Sequence, residues 1–434
     1  MSRASVSVDS VPNVKGTLPG KRVAMVLFSY YPSDPRPRRA AEALADAGMA
    51  VDMICLREDP GDLKSDRLNG VEIRRVPISR RRGGKLGYLY QYLAFLLVSS
   101  SIIAFRSVFR RRYDLVYVHN MPDFLVLSGF IPQLFGAKVI LDLHDPMPEL
   151  MQTIFGLPPT AKSVRLLRWV ERWSLSIADS VVTVNRRCAK IFADRSCPAE
   201  KITVIMNSPD ETIFAARPPS SAKESEAGSS PFIVMYHGSL VERNGLAVAV
   251  DAFAKIRESI PSAELHVYGA RNAFLESVME SVRERGLERS VHYMGQKPLE
   301  QIVEAIERCD VGVIPNKQSI FTELNTPTRI FEYLALGKPV IAPRSSGITD
   351  YFDEDSLVFF ELGDADDLAR SIEYVFQQPG EVSEITRRAR QIHLAHTWKA
   401  EKATLVELVT QLVGDQFERV PSAVGSPQRD QRGR

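Results

Sequence analysis

The 434 residues are 44% apolar and 25% charged, with a formal net charge of +2. This composition excludes a disordered scaffold, a collagen-like fibre and a coiled coil, and the charge balance gives no global case for nucleic-acid binding. The length suits two large domains or three small ones, and four scattered cysteines without a C-x-x-C pair point to a reducing compartment rather than a disulfide framework.

Residues 1–20 carry no apolar core segment, so an unstructured extension without a secretory signal is expected there. RVAMVLF, from Arg22, is apolar enough for a strand buried on both faces. RRAAEALADAG follows with helical spacing and Gly48 as a stop, then AVDMICL as a second strand. This is a β-α-β unit, the seed of a parallel sheet.

The next segment, Leu86 to Phe105, is twenty residues without a charge. At about 1.5 Å per residue it could just cross a hydrocarbon core of about 30 Å. Between Arg67 and Arg112 eleven Arg and Lys stand against one acid, Glu72, a local net charge of +10. Arg80-Arg81-Arg82 and Arg110-Arg111-Arg112 flank both ends, whereas a spanning helix carries its positive charge mainly on one side. Gln91 and Ser99-Ser100-Ser101 also interrupt the run. Two readings stand beside each other: a helix lying against an anionic membrane surface, and a core helix with a solvated basic rim.

Strands DLVYVH (114–119), KVILDLH (138–144), SVVTVN (180–185) and KITVIMN (201–207) continue the alternation, with helical FLVLSGFIPQLF and SVRLLRWVERWSLSIA between them. Their polar ends, His119-Asn120, His144-Asp145, Asn185 and Asn207, point to one crevice beyond the carboxyl ends of the strands. This defines a first domain over 21–208. A Pro/Ser/Gly/Glu-rich linker is expected over 209–231. The pattern restarts with FIVMYHG and runs through a second domain, 232–384. Helices over 385–413 are expected to pack back toward the first domain, and 414–434 to form an unstructured tail.

No G-x-G-x-x-G follows the first strand, Gly337-Lys338 continues into Pro339 rather than a phosphate-loop hydroxyl, and no zinc-spaced Cys/His set is present. Asp364-Ala365-Asp366 has a metal-binding D-x-D shape, but in GDADDLARSI Asp364 reads as a helix N-cap. No metal site is expected.

The densest signal is NTPTRIFEYLALGKPVIAP, Asn325 to Pro343. A loop ending at Pro327 enters a helix whose free N–H groups at Thr328, Arg329 and Ile330 can hold a phosphate, with Arg329 adding a full charge. Glu332, one turn in, either accepts hydrogen bonds from ligand hydroxyls or offsets Arg329 as a solvated helix residue.

This segment resembles the donor-site signature of retaining glycosyltransferase family 4, of the α/β GT-B fold, in which two Rossmann-like αβα domains face each other across a cleft. Pro327, Arg329, Phe331, Glu332, Tyr333, Ala335, Gly337, Lys338, Pro339 and Val340 match it, with Arg in place of Lys. DPRPRRAAEALADAGMAVDMIC, YVHNMPDF, LDLHDPMPE, MNSPDETIF and YHGSLVERNGL fit in order, and the HDPMPE form is similar to the branch that makes bacterial surface polysaccharides. The resemblance implies that a sugar passes from a nucleotide-diphosphate sugar to a glycan acceptor, lipid-linked or free, with retention and without a metal or further cofactor. It implies that Glu332 binds the donor ribose as the second glutamate of E-x7-E. The first falls on Leu324, with Glu323 and Asn325 adjacent. It implies that His144 meets the transferred sugar, and that Gly238 with Thr328 and Ile330 line the donor site. Ser239 and Asn244 replace the family's phosphate-binding Arg and Lys, so Arg243 and Arg329 are expected to share the diphosphate. Asp34, Arg36, His119, Asp145 and Glu149 are implied on the acceptor side. Catalysis is thus expected from His144, Arg243 and Arg329, at the inner face of a cytoplasmic membrane, with no nucleic acid involved.

Overall fold

The structure is a computed structural model and describes residues 14–78, 85–215 and 231–414. The chain before residue 14, the arginines at 80–82, most of the expected linker and the tail after Gly414 lie outside those residues.

The first sheet contains β1 (Arg22–Tyr30), β2 (Ala50–Leu56), β3 (Ser65–Leu68), β4 (Val71–Val76), β5 (Leu115–His119), β6 (Lys138–Leu143), β7 (Ser180–Thr183) and β8 (Ile202–Val204). Its helices are α1 (Pro35–Asp46), α2 (Lys85–Phe109), α3 (Phe130–Leu134), α4 (Met147–Phe155), α5 (Lys162–Ile177) and α6 (Arg186–Arg195). The strand order is β3-β4-β2-β1-β5-β6-β7-β8, parallel except for β3 against β4. The central strands are buried on both faces because helices cover both: α1 on one side, and α2, α5 and α6 on the other.

The second sheet contains β9 (Phe232–His237), β10 (Ala263–Tyr268), β11 (Val291–Gly295), β12 (Val311–Val313), β13 (Val340–Arg344) and β14 (Val358–Glu361), in the order β11-β10-β9-β12-β13-β14. Around it lie α7 (Leu246–Ile256), α8 (Ala273–Glu284), α9 (Leu299–Arg308), α10 (Ile320–Leu324), α11 (Thr328–Ala335), α12 (Ser346–Thr349), α13 (Ala365–Gln377) and α14 (Pro379–Leu394). A last helix, α15 (Trp398–Gly414), leaves this domain and packs Leu405, Val406, Val409 and Val413 into the core of the first, beside α1. Of the helices expected to return to the first domain only α15 does so; α14 stays with the second sheet, its Val382 and Ala389 in that core.

Four further differences have local causes. Residues 14–20, expected to be unstructured, are tied down: Leu18 is buried and its N–H donates to the Ala47 carbonyl. FLVLSGFIPQLF is mostly a 3-10 helix over Asp123–Gly129, and only its end, α3, is α-helical. KITVIMN pairs only over Ile202–Val204, because β8 lies at the sheet edge. The hairpin β3–β4 and the helices α4 and α6 were not anticipated. Asp364 caps α13 as expected, accepting from the N–H groups of Asp366 and Asp367.

Candidate active site in the cleft

In the second domain, β9 ends at His237, and the loop beyond it faces the start of α11. His237 Nε2 lies 2.5 Å from Glu332 Oε2, and its Nδ1 lies 2.9 Å from the Tyr333 hydroxyl, which donates to the Met235 carbonyl. One buried imidazole therefore fixes Glu332 from beneath. Arg329 donates through Nη1 to the His237 carbonyl (2.7 Å) and lies over the Tyr236 ring. Gly238, at φ +123°, makes room for it, since a Cβ there would sit 3.2 Å from Arg329 Cδ.

The N–H groups of Thr328 and Arg329 open α11, but that of Ile330 already donates to the Pro327 carbonyl, and the Ile330 side chain is buried. Ile330 is therefore a core residue and not a donor-binding one: the tight first turn uses its N–H. Arg243 stands in a short turn after β9 with its guanidinium over the Phe321 ring (5.7 Å). The adjoining Gly245 touches the Pro315 carbonyl so closely that a Cβ would fall 1.9 Å from the oxygen. Asn244 donates to the Ser239 carbonyl, so the two residues standing where the family has a basic pair instead brace the loop.

Glu323 does not substitute as a free first glutamate. Its Oε1 accepts from the backbone N–H and the hydroxyl of Ser346, holding α10 to α12. Asn325 ends α10, and its carbonyl lies against Gly347.

In the first domain, β5 and β6 deliver His119, Asp142 and His144. Asp142 is fully enclosed: Arg36 donates to Oδ1 (2.7 Å), Tyr117 donates to Oδ2 (3.1 Å), and His119 Nδ1 lies 3.3 Å away. Burial alone would raise this carboxyl, but Arg36 and the two histidines hold it well below the ordinary carboxylate range. His119 Nδ1 also lies 3.1 Å from His144 Nε2, while burial pushes the His119 pKa down, keeping it neutral. The backbone N–H of His144 donates to Asn120 Oδ1. His144 is thus the half-exposed tip of a buried Arg36–Asp142–His119 chain. The three groups His119, Asp142 and His144 are spaced closely enough for a metal ion. A cation there would sit beside the Arg36 guanidinium, which argues for a hydrogen-bonded support instead.

Two expected acceptor-side residues belong to this support. Arg36 is buried, bonded to Asp142 and to the Ile205 carbonyl, and His119 is completely enclosed. Glu149 is not in the cleft at all. It forms a two-pronged pair with Arg195 (2.6 and 2.9 Å), which also binds Glu171, because α4, α5 and α6 converge there. Asp34 precedes α1 without capping it. Asp145 is raised by burial despite the pull of His144 and of Arg243 from the opposite domain, which places Arg243 within electrostatic reach across the cleft.

Asp142, Tyr117 and His237 were missed from the sequence. Each sits within or beside a quoted motif, but a polar residue in an apolar strand gave no sign of what it faces. The domains also touch directly. Asn185 donates to the Leu324 carbonyl (3.0 Å), Arg187 pairs with Asp350 (2.8 Å), and the Arg186 N–H donates to the Tyr351 hydroxyl.

Comparison with known proteins matches both halves. Residues 34–208 match the glycosyl transferase 4-like domain, and residues 219–392 match the glycosyl transferases group 1 domain. Among curated relatives, the putative colanic acid biosynthesis glycosyltransferase WcaL of Escherichia coli is 25% identical over 216 residues, 49% of this chain and 52% of that protein. The amylovoran biosynthesis glycosyltransferase AmsK of Erwinia amylovora is 26% identical over 198 residues, 45% and 46% of the two chains. The chain thus spans about half the length of the curated relatives it matches. In fold it is similar to sucrose-phosphate synthase from Thermosynechococcus elongatus (TM-score 0.74, 20% identity, 91% of this chain and 100% of that one). It is likewise similar to Anabaena HepE in complex with UDP (TM-score 0.64, 16% identity, 91% and 100%).

Proposed function

The chain belongs to glycosyltransferase family 4, of the GT-B fold, and from that premise we propose that it moves a sugar from a nucleotide-diphosphate donor to a glycan acceptor in surface-polysaccharide assembly. The observation that carries this reading is the His237–Glu332 pair at the entrance of α11, with Arg329 beside it, opposite His144 on the other domain. A carboxylate braced by a buried imidazole keeps its second oxygen for ribose hydroxyls. Breaking the sugar–diphosphate bond builds charge on the leaving group. The α11 N–H groups, Arg329 and Arg243 are fixed where they can stabilise it without reorganising. His144, oriented through its ring and its backbone, faces the sugar. In this proposal the acceptor attacks the face the diphosphate leaves, the leaving phosphate takes the acceptor proton, configuration is retained, and no metal is needed. The acceptor is a lipid-linked glycan.

A second reading, donor binding without transfer, is favoured by one observation: Glu323 is committed to Ser346 and Leu324 stands in the first-glutamate position. Incubating the protein with labelled UDP-, GDP- and TDP-sugars and membrane lipid extract separates the two. Transfer to lipid that survives EDTA is expected. Binding without transfer would favour the second reading, and activity lost to EDTA and restored by manganese would overturn the metal-free mechanism.

A further inference from the structure

In the helical layer on one face of the first sheet, α2 is apolar on both sides: Phe95 and Ile103 are buried in the core. α2 turns Gln91, Ser99 and Ser107 toward the sheet, and turns Leu93, Leu97, Phe105 and Phe109 outward; Leu97 is 68% and Phe109 73% exposed. The inward polar groups do not explain this as a buried functional row, since Ser99 bonds back to the Phe95 carbonyl of its own helix. The outward apolar surface continues beyond α2. Beside it α3 exposes Phe130, Leu134 and Phe135, and α5 exposes Leu166 and a stacked pair, Trp169 and Trp173. Of 22 large apolar side chains exposed among the described residues, 16 lie between Leu89 and Trp173. Singly exposed apolar residues are ordinary; a concentration on one face marks an interaction surface.

The charge on that face names the occupant. Arg110, Arg111 and Arg112 are exposed at the end of α2, and Lys162, Arg165 and Arg172 on α5. No carboxylate between residues 85 and 177 is exposed: Asp123, Asp142, Glu149 and Glu171 are buried, and Asp114 and Asp145 are half-buried. A second copy of the chain would bring the same positive charge against it. An apolar surface with tryptophans and a predominantly basic rim, with Asp179 at its edge paired to Lys138, matches an anionic lipid headgroup layer over acyl chains. Crossing the bilayer is a different matter, because α2 is anchored along its length. Tyr92 and Phe95 pack edge-on against Phe28 of β1, and Arg106 binds Asp52 of β2 (3.1 Å). Pulling α2 through a membrane would open the first core and strand Asp52 without that partner.

We propose that the face formed by α2, α3 and α5 is a membrane-docking surface that seats the folded first domain on anionic phospholipid. The 25-residue helix, about 37 Å long, lies in the plane of the interface rather than across it. In a right-handed β-α-β crossover α2 starts at the carboxyl edge of the sheet. One end of the docking face therefore adjoins the cleft, where an acceptor held by a lipid anchor would enter. Docking itself does not rest on the transfer reaction and is read without donor or acceptor.

The test uses the full chain with vesicles of phosphatidylcholine alone and of phosphatidylcholine and phosphatidylglycerol in equal parts. Flotation with the mixed vesicles only, weakened by salt, is expected. The chain has three tryptophans. In a Trp398→Phe variant the remaining two, Trp169 and Trp173, should shift their emission to the blue on mixed vesicles. Arg165→Gln with Arg172→Gln should weaken binding roughly tenfold or more. Trp169→Ser with Leu97→Ser should abolish the apolar part without unfolding the protein, since both side chains are exposed. Phe376→Ser, exposed on the other domain, should change nothing. Three results would overturn the proposal: extraction by detergent alone, which means a spanning helix; concentration-dependent dimerisation that buries Trp169 without lipid, which means a second copy; and no flotation with unshifted tryptophans.

Discussion

Glu332 and His237 share a 2.5 Å contact, and the consequence of breaking it differs for the two partners. In the proposed donor site Glu332→Ala would remove an acceptor of hydrogen bonds from the ribose, a loss of roughly 1.5–3 kcal/mol, so calorimetry should show donor affinity falling about ten- to a hundred-fold. His237→Ala should leave a weaker effect on affinity and a larger one on folding stability, because it also strips the buried Tyr333 hydroxyl of a partner. Donor affinity unchanged in Glu332→Ala would remove the carboxylate from the site. A separate residue tests the electrostatics of the acceptor side. Asp123 is fully buried, and that burial lifts its carboxyl to about 7 against a single hydrogen bond from Asn120. A folded pKa above the unfolded one adds stability at pH below about 4 that is lost as pH rises through 7. Asp123→Asn should therefore gain stability at pH 8, by up to about 4 kcal/mol, and gain none at pH 4; melting curves at the two values decide it. The asymmetry in what the sequence revealed is also clearest here. The long, ordered motif around Glu332 and Arg329 made their grouping legible, and both lie beside His237. Glu149 and Arg36 were assigned to the cleft from the same kind of motif and proved to be buried partners of Arg195 and Asp142. A charged residue in a sequence does not announce whether its partner is a ligand or another side chain.

Among elements, the parallel strands were read correctly because runs such as VAMVLF and KVILDL are apolar on both faces. The β3–β4 hairpin was passed over although Asn69-Gly70, both at positive φ, form the two-residue turn that most strongly marks one. Its strands carry Asp66, Arg67, Glu72 and Arg74, as an exposed edge requires, and that charge masks the strand pattern. α2 carries a part of each reading offered for it, since it is a core helix on one side and an uncovered apolar surface on the other. The loop holding Arg243 depends on Gly245, at φ +72° and pressed against the Pro315 carbonyl. Gly245→Ala should displace that loop, lower the melting temperature, and weaken donor binding while Arg243 itself is unchanged. Equal donor affinity in that variant would show the loop to be dispensable.

At the scale of the molecule, the domains meet through α6 on one side, where Arg186 and Arg187 reach Asp350 and Tyr351, and through α15 on the other. The Arg187–Asp350 pair is partly exposed and contributes little to stability by itself. Its removal together with Tyr351→Phe should increase the radius of gyration in solution scattering and leave the secondary structure intact. α15 has the opposite character, for it completes a core: Leu405→Ala should cost about 2–5 kcal/mol, read as destabilisation of the first domain by hydrogen exchange in β1 and α1. That placement also sets an order of events during synthesis. The ribosome finishes the first sheet at β8 but delivers the last helix of that core, α15, only after the whole second sheet. At typical elongation rates the nascent first domain waits roughly 10–40 s with the α1 side of its core uncovered, and must be kept from aggregating until α15 has been made.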